Sequence, residues 1–219
     1  MSILSSYICI MLLSSYSKDL VEAGCDEAGR GCLAGPVVAA AVILPKNYEH
    51  PLLNDSKQLS ESKRIIVRKD IEREAISYAV TFIDNHELAR VNIAKASSLA
   101  MNRSVDKLKT APELLLIDGN RYKPHNDIAF ECIIKGDGKY LSIAASSVLA
   151  KTYRDEYMKS IALKYPAYQW EKNKGYPTVA HREAIKRIGT CVYHRRSFKQ
   201  LPDQMELFNG ENVVANESS

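Results

Sequence analysis

The sequence predicts an α/β protein with a mixed five-stranded sheet flanked by helices, followed by a helical C-terminal extension. Three observations predict it. Short apolar runs of strand length and longer stretches with helical spacing follow one another in the order β-β-α-β-α-β-β-α. Residues 114–117 are aliphatic at every position, which suits a central strand buried on both faces. No Pro/Gly/Ser-rich linker or internal repeat divides the 219 residues, a length that supports one sizeable core.

Taken in order, residues 20–25 are an apolar run of strand length, and residues 36–44, rich in Val and Ala and closed by Pro45, are a second that pairs with the first. Ser60 is placed as the N-cap of a helix over 61–74, and 76–83 reads as a third strand. Asn85 caps the next helix, which runs to Lys107 with apolar residues at Leu88, Val91, Ala94, Leu99 and Met101. The aliphatic run 114–117 stops at Asp118-Gly119, and a fifth strand over 128–134 is ended by Gly136-Asp137-Gly138. A helix over 142–165 is small and apolar through Ala150 and charged from Lys151, so its first half is buried. The last helix, 178–188, is stopped by Gly189. This gives an N-terminal extension over 1–19, an α/β domain over 20–165, a helical extension over 166–202 and a flexible acidic tail over 203–219.

Hydrophobic content of 46% and charged content of 26% are those of a soluble globular chain. The net charge of +4 conceals an asymmetry: Asp203, Glu206, Glu211 and Glu217 have no Lys or Arg among them, which leaves residues 1–202 at +8. From Lys172 to Lys199 there are eight Lys/Arg residues against Glu183 alone, a density that suits a polyanion. The five cysteines show no paired spacing, so a reducing, cytoplasmic location is the simpler inference, with Cys25 and Cys132 as core packing. No stretch reaches membrane-spanning length. Residues 7–13 are apolar like the middle of a signal peptide, but no basic residue precedes Lys18 and no small-x-small site follows, so an extension or a start at Met11 is expected instead.

The chemistry-bearing residues are carboxylates. Asp118 lies at the end of a buried strand, where open α/β sheets form their crevices, and Asp137 lies after the neighbouring strand. Asp26 and Glu27 directly follow an apolar strand and would point to opposite faces, so convergence on one crevice requires the backbone to leave strand geometry there, with Gly29-Arg30-Gly31 supplying the freedom. Four gathered carboxylates repel one another unless cations compensate. All-oxygen ligation favours Mg²⁺ or Mn²⁺, and two ions about 3.5–4 Å apart would clamp an in-line phosphodiester hydrolysis. Gly29 and Gly31 permit close backbone approach to a ligand, and Arg30 is suited to a phosphate. The glycine spacing fits neither a dinucleotide fingerprint nor a phosphate-binding loop.

The chain resembles bacterial ribonuclease HII, of the type 2 ribonuclease H family, over roughly residues 20–201. The resemblance rests on Asp26-Glu27-Ala28-Gly29-Arg30-Gly31, Asn54-Asp55-Ser56-Lys57, Ile117-Asp118-Gly119-Asn120, Lys135-Gly136-Asp137, residues 142–151 with Arg154-Asp155, Gly175-Tyr176-Pro177 and His194-Arg195-Arg196-Ser197-Phe198. It implies a ribonuclease H-like fold and a metal-dependent endoribonuclease that hydrolyses RNA in RNA–DNA hybrids and cuts 5′ of ribonucleotides embedded in duplex DNA. It further implies that Asp26, Glu27, Asp118 and Asp137 are the catalytic metal ligands, and that Gly29, Arg30, Gly31 and Tyr176 recognise the 2′-hydroxyl, the group that distinguishes RNA from DNA. Lys57 and the basic stretch would bind backbone phosphates. Asp155 is assigned to an ion pair with Lys151 rather than to metal, and His125, His181 and His194 to structural or phosphate contacts. The sequence departs from the family in its extension before Lys18 and in Cys32, where a proline is common.

In the tail, Gln204-Met205-Glu206-Leu207-Phe208 resembles the peptides by which bacterial repair proteins dock on the sliding clamp; the alternative is that Leu207 and Phe208 pack on the body. The competing functional class is a hybrid-binding protein without catalysis, but four carboxylates at a phosphate site disfavour plain binding. The type 3 enzyme usually carries an additional N-terminal domain, for which the residues before Leu20 are too few. A monomer is expected.

Overall fold

A computed structural model describes residues 12–53 and 59–201. The chain forms two compact units. Among the described residues, the first takes 12–30 and the part from Pro36 to Tyr157, and the second takes Gly31–Gly35 and 158–201.

The first unit holds the sheet. Its strands are β1 (Glu22–Ala28), β2 (Val37–Ile43), β3 (Ser77–Ile83), β4 (Leu114–Asp118) and β5 (Ala129–Ile133), in the spatial order β3-β2-β1-β4-β5. β1 pairs antiparallel with β2 and β2 with β3, whereas β1–β4 and β4–β5 are parallel, so the sheet is mixed as the sequence predicts. The helices of this unit are α1 (Glu61–Glu74), α2 (Asn85–Arg90), α3 (Ile93–Asp106) and the first part of α4 (Leu141–Ala162).

All seven residues of β2 are buried because both faces are covered. Ala40 and Val42 pack with Val67 and Ile71 of α1 and Ala144, Ala145 and Val148 of α4. Ala39, Ala41 and Ile43 on the other face pack with Ala96, Ala100 and Met101 of α3. The period of two along one strand thus feeds two cores, which explains why the strand is Val and Ala throughout rather than alternating with polar residues. The small apolar opening of α4 is buried, as expected.

Capping differs from expectation in one region. Ser60 accepts from the Lys63 N–H and caps α1 as predicted. The predicted single helix from Asn85 to Lys107 is instead two. Asp84, not Asn85, caps α2 by accepting from the Glu87 N–H at 2.8 Å. Asn92 then takes an extended conformation and accepts from the Lys95 N–H at 2.9 Å, which starts α3 afresh. Short polar side chains compete for backbone N–H groups in this way, and apolar periodicity alone does not register it. Cys132 is a second correction: it is exposed, because β5 is an edge strand whose faces are largely uncovered.

The second unit contains the end of α4, a 3₁₀ turn at Pro166–Tyr168, α5 (Trp170–Asn173) and α6 (Val179–Ile188). Thr178 caps α6 and Gly189, with φ 75°, ends it. Its interior is aromatic: Trp170 is fully buried and stacks on Tyr168 with ring centroids 4.9 Å apart. Segment Gly31–Gly35 is tied in by backbone bonds from Leu33 N–H to the Gly175 carbonyl and from Arg195 N–H to the Leu33 carbonyl, each at 2.8 Å.

Gly24 in β1 lies directly under the start of α4. A Cβ there would stand 2.1 Å from the Ser142 carbonyl carbon and 2.4 Å from the Ile143 nitrogen, both backbone atoms that cannot step aside. Gly24→Ala is expected to cost about 3 kcal/mol by overpacking and to lower the melting temperature by roughly 6–12 °C. A thermal melt that shows no loss would contradict this packing.

Candidate active site

Parallel pairing of β1 with β4 builds the candidate site. The last pair in register is Cys25 with Ile117, so Asp26 and Asp118 are the next residues along two neighbouring strands that point the same way. Their side chains therefore emerge at the carboxyl end of the sheet, where crevices form. Asp26 is buried and Asp118 half-buried.

The expected departure from strand geometry at Asp26 and Glu27 is absent. β1 keeps its register with β2 through Asp26–Ala40, Glu27–Ala39 and Ala28–Val38, and the backbone leaves the strand only at Gly29, with φ 91°. Both carboxylates nevertheless feel Asp118. The β1–β4 pairing ends at Cys25–Ile117 while Asp118 still pairs with Ile133 of β5, so Asp118 stands at the rim beside both.

Electrostatics at this rim are unfavourable to accumulated charge. Burial pushes the Asp26 carboxyl well above the usual range, and the charges of Glu27 and Asp118 push it further; hydrogen bonds from Ser147 and from the Glu27 N–H, the latter at 2.6 Å, oppose the shift. Burial also raises Glu27, opposed by Arg30, whose Nη1 lies 3.2 Å from Glu27 Oε1, while Asp118 adds to the rise.

Asp118 also ties the next loop to the sheet. Its Oδ1 accepts from the Gly136 N–H at 2.7 Å. This places the Gly136–Gly138 turn, and with it the buried Asp137, against the end of β4. Lys135 enters the turn in the left-handed region at φ 56°, and a Cβ on Gly136 would meet Ile143 Cδ1 at 2.6 Å. The turn is thus shaped by packing beneath it.

The two glycines around Arg30 have different reasons. A Cβ on Gly29 would stand 2.1 Å from Arg154 Nε and 2.8 Å from the Pro36 carbonyl oxygen. Arg154 is fully buried and donates from Nε to that same carbonyl at 3.0 Å. Gly29 is therefore required by a buried arginine inside the protein. Gly31 meets nothing within 4 Å, so its backbone is open to approach.

Lys151 Nζ pairs with Asp155 Oδ1 at 2.6 Å across one helical turn, the ion pair expected of them. Tyr176 is partly exposed in the second unit. Within the basic stretch expected to bind phosphates, Lys174 and Arg195 are instead buried and bonded to backbone carbonyls, whereas Lys172, Lys186, Arg187, Arg196 and Lys199 are exposed. His125 pairs with Asp106, while His181 and His194 are buried. Lys57, Gln204, Leu207 and Phe208 lie outside the described residues. Ser147 was not singled out by sequence; a hydroxyl in the buried half of α4 is its only signal.

Among the described residues, no three His, Cys, Asp or Glu side chains are gathered closely enough to hold one ion as they stand. The reason is visible in their partners: Glu27 is turned to Arg30, Asp118 to Gly136 and Asp26 to the Glu27 N–H. The donor chemistry still fits a hard divalent cation, being all carboxylate with one member held up by burial and by its acidic neighbours.

A family model described as ribonuclease HII matches residues 23–201. The ribonuclease HII of Bacteroides fragilis is 60% identical over 200 residues, covering 91% of this chain and all of that one. The chain belongs to the ribonuclease HII family. It is accordingly a ribonuclease H, and solved ribonuclease H structures share its fold. The ribonuclease HII of Archaeoglobus fulgidus, solved as a PCNA complex, superposes with a TM-score of 0.70 at 25% identity, covering 82% of this chain and 96% of that one. Bst-RNase HIII in complex with Mn²⁺ gives a TM-score of 0.69 at 23% identity, covering 86% and 68%. The predicted ribonuclease H-like fold is thus the observed one.

Asp118→Asn keeps the oxygen that accepts from Gly136 and removes one of the two charges acting on Asp26. In chelator at neutral pH the variant is expected to melt higher by a few degrees, for a gain of about 1 kcal/mol. A lower melting temperature would show that the carboxylates do not oppose one another.

Proposed function

We propose that this ribonuclease HII is a metal-dependent endonuclease that hydrolyses RNA in RNA–DNA hybrids and nicks on the 5′ side of single ribonucleotides embedded in duplex DNA. The observation that carries the reading is the placing of Asp26 and Asp118 side by side at the carboxyl end of two parallel strands, where burial, then Glu27 and Asp118, raise the Asp26 carboxyl. Such a site repels a phosphodiester unless cations lie between, so its charge argues for catalysis over passive binding.

Asp26, Glu27, Asp118 and Asp137 would hold the divalent cation, Mn²⁺ or Mg²⁺, and a neighbour of the same fold is known in complex with Mn²⁺. When bound, the cation supplies Lewis acidity to the scissile phosphate. Release of Glu27 from Arg30 would free the guanidinium for a phosphate oxygen. The open backbone at Gly31, with Gly29 and Arg30, would lie against the ribose and read the 2′-hydroxyl, and Tyr176 would pack on the adjoining sugar. Lys57 and the exposed Lys172, Lys186, Arg187, Arg196 and Lys199 would follow backbone phosphates.

The enzyme would act as a cytoplasmic monomer in ribonucleotide removal. The Archaeoglobus relative is solved with a sliding clamp, which supports Gln204, Leu207 and Phe208 of this chain as a clamp-docking segment.

A duplex carrying one ribonucleotide should be nicked with Mn²⁺ or Mg²⁺, leaving the ribonucleotide at the new 5′ end. Asp118→Asn is expected to lower the rate by about 10³-fold or more while duplex affinity falls little. Cleavage by this variant near the wild-type rate would overturn the carboxylate assignment.

A further inference from the structure

Trp170, His181 and His194 form a buried chain of hydrogen bonds inside the second unit, and backbone partners at its two ends dictate the position of every proton. His181 Nδ1 lies 2.9 Å from the Tyr176 carbonyl oxygen, which only accepts, so Nδ1 carries hydrogen and Nε2 is bare. That bare nitrogen accepts from Trp170 Nε1–H at 3.0 Å and faces His194 Nε2 at 3.2 Å. At the other end His194 Nδ1 accepts from the Cys191 N–H at 3.0 Å, which leaves His194 Nε2 as the donor toward His181. Both rings are neutral in this arrangement. Burial holds both below the ordinary histidine range, His194 down to about 4.

The chain ends on segments that matter for recognition. His181 grips the carbonyl of Tyr176 itself. The residue before, Gly175, has φ 81° and would place a Cβ 2.5 Å from the Ala34 carbonyl oxygen. The His194 backbone is bridged to Ala34, and its neighbour Tyr193 accepts from the Gly35 N–H at 3.0 Å. Tyr176 is thus held by the His181 imidazole, and the segment that continues from Gly31 by the backbone at His194 and Tyr193.

We infer that His181, its proton fixed on Nδ1 by the Trp170 and His194 bonds at Nε2, is a positioning residue for the reaction, holding Tyr176 in the pose that discriminates ribose from deoxyribose. This inference rests on the assignment of Tyr176 to sugar recognition under Proposed function. It predicts an effect on selectivity rather than on rate alone.

An asparagine amide stands near the position of Nδ1 and a glutamine amide near that of Nε2, so two variants separate the bonds. His181→Asn retains a donor for the Tyr176 carbonyl and gives up the Trp170 bond, whereas His181→Gln retains an acceptor for Trp170 and gives up Tyr176. The quantity to measure is kcat/KM on a duplex with one ribonucleotide divided by kcat/KM on a continuous RNA–DNA hybrid, with Tyr176→Ala as the reference. The His181→Gln variant should lower this ratio about tenfold, the size of one buried hydrogen bond, and His181→Asn should leave it near wild type. Trp170 is the chain's one tryptophan, so its fluorescence should change in His181→Asn and much less in His181→Gln. Equal loss on both substrates, following the loss of melting temperature, would overturn the inference by showing a merely structural role. If Tyr176→Ala itself leaves the ratio unchanged, the reading of Tyr176 fails instead. Should both His181 variants fail to fold, long-range proton–nitrogen NMR correlation of the wild-type imidazoles serves: the Nδ1–H tautomer of His181 that donates to the Tyr176 carbonyl is expected, and the Nε2–H tautomer would overturn the inference.

Discussion

Repulsion among carboxylates at the rim where β1 and β4 run side by side is the constraint around which the first unit is organised. Asp26 sits one residue beyond the last registered pair and is buried, so its ionisation is opposed by the protein interior and by Glu27 and Asp118 together. Each neighbour is restrained by something else: Glu27 by Arg30, and Asp118 by the Gly136 N–H that also draws Asp137 towards the rim. A fold seeking only stability would place an apolar residue at Asp26, as it does at Cys25. The unfavourable charge makes sense as a site completed by cations.

Support for this rim comes from beneath. Gly24 lets the start of α4 touch the β1 backbone, and the buried small residues that follow keep the helix close enough for Ser147 to reach Asp26. Further along the same helix, Arg154 occupies the space that a side chain at position 29 would need and bonds the Pro36 carbonyl. The turn after β1 is therefore held from inside, while Gly31 keeps its outer side open. In the proposed function, Asp26 and Glu27 would serve metal binding, and the residues from Gly29 onward ribose recognition.

Much of this was legible in the sequence. The all-aliphatic run ending in Asp118 identified a central strand and the end at which its carboxylate emerges, because a strand buried on both faces leaves no polar position until it emerges. The Val- and Ala-rich β2 was recognisable for the same reason. What escaped was set by side chains competing with regular structure or by contacts distant in sequence. Asp84 and Asn92 split one apparent helix because their oxygens take backbone N–H groups that periodicity does not count. Cys132 lies in an apolar run yet is exposed, since a run of residues does not reveal that its strand will be at the sheet's edge. The role of Gly29 depended on Arg154, far along the chain, and the expectation of a break at Asp26 failed because the strand continues in register with β2 after its pairing with β4 ends.

The central claim is that Asp26, Glu27 and Asp118 form an anionic site that a divalent cation completes. Titration of chelator-stripped protein with Mn²⁺, followed by the loss of the free-ion paramagnetic resonance signal without any nucleic acid present, tests it most directly. The account predicts saturable binding to the wild-type chain that weakens by about tenfold or more when Asp26→Asn removes one carboxylate charge. Equal Mn²⁺ affinity in the two proteins would contradict it.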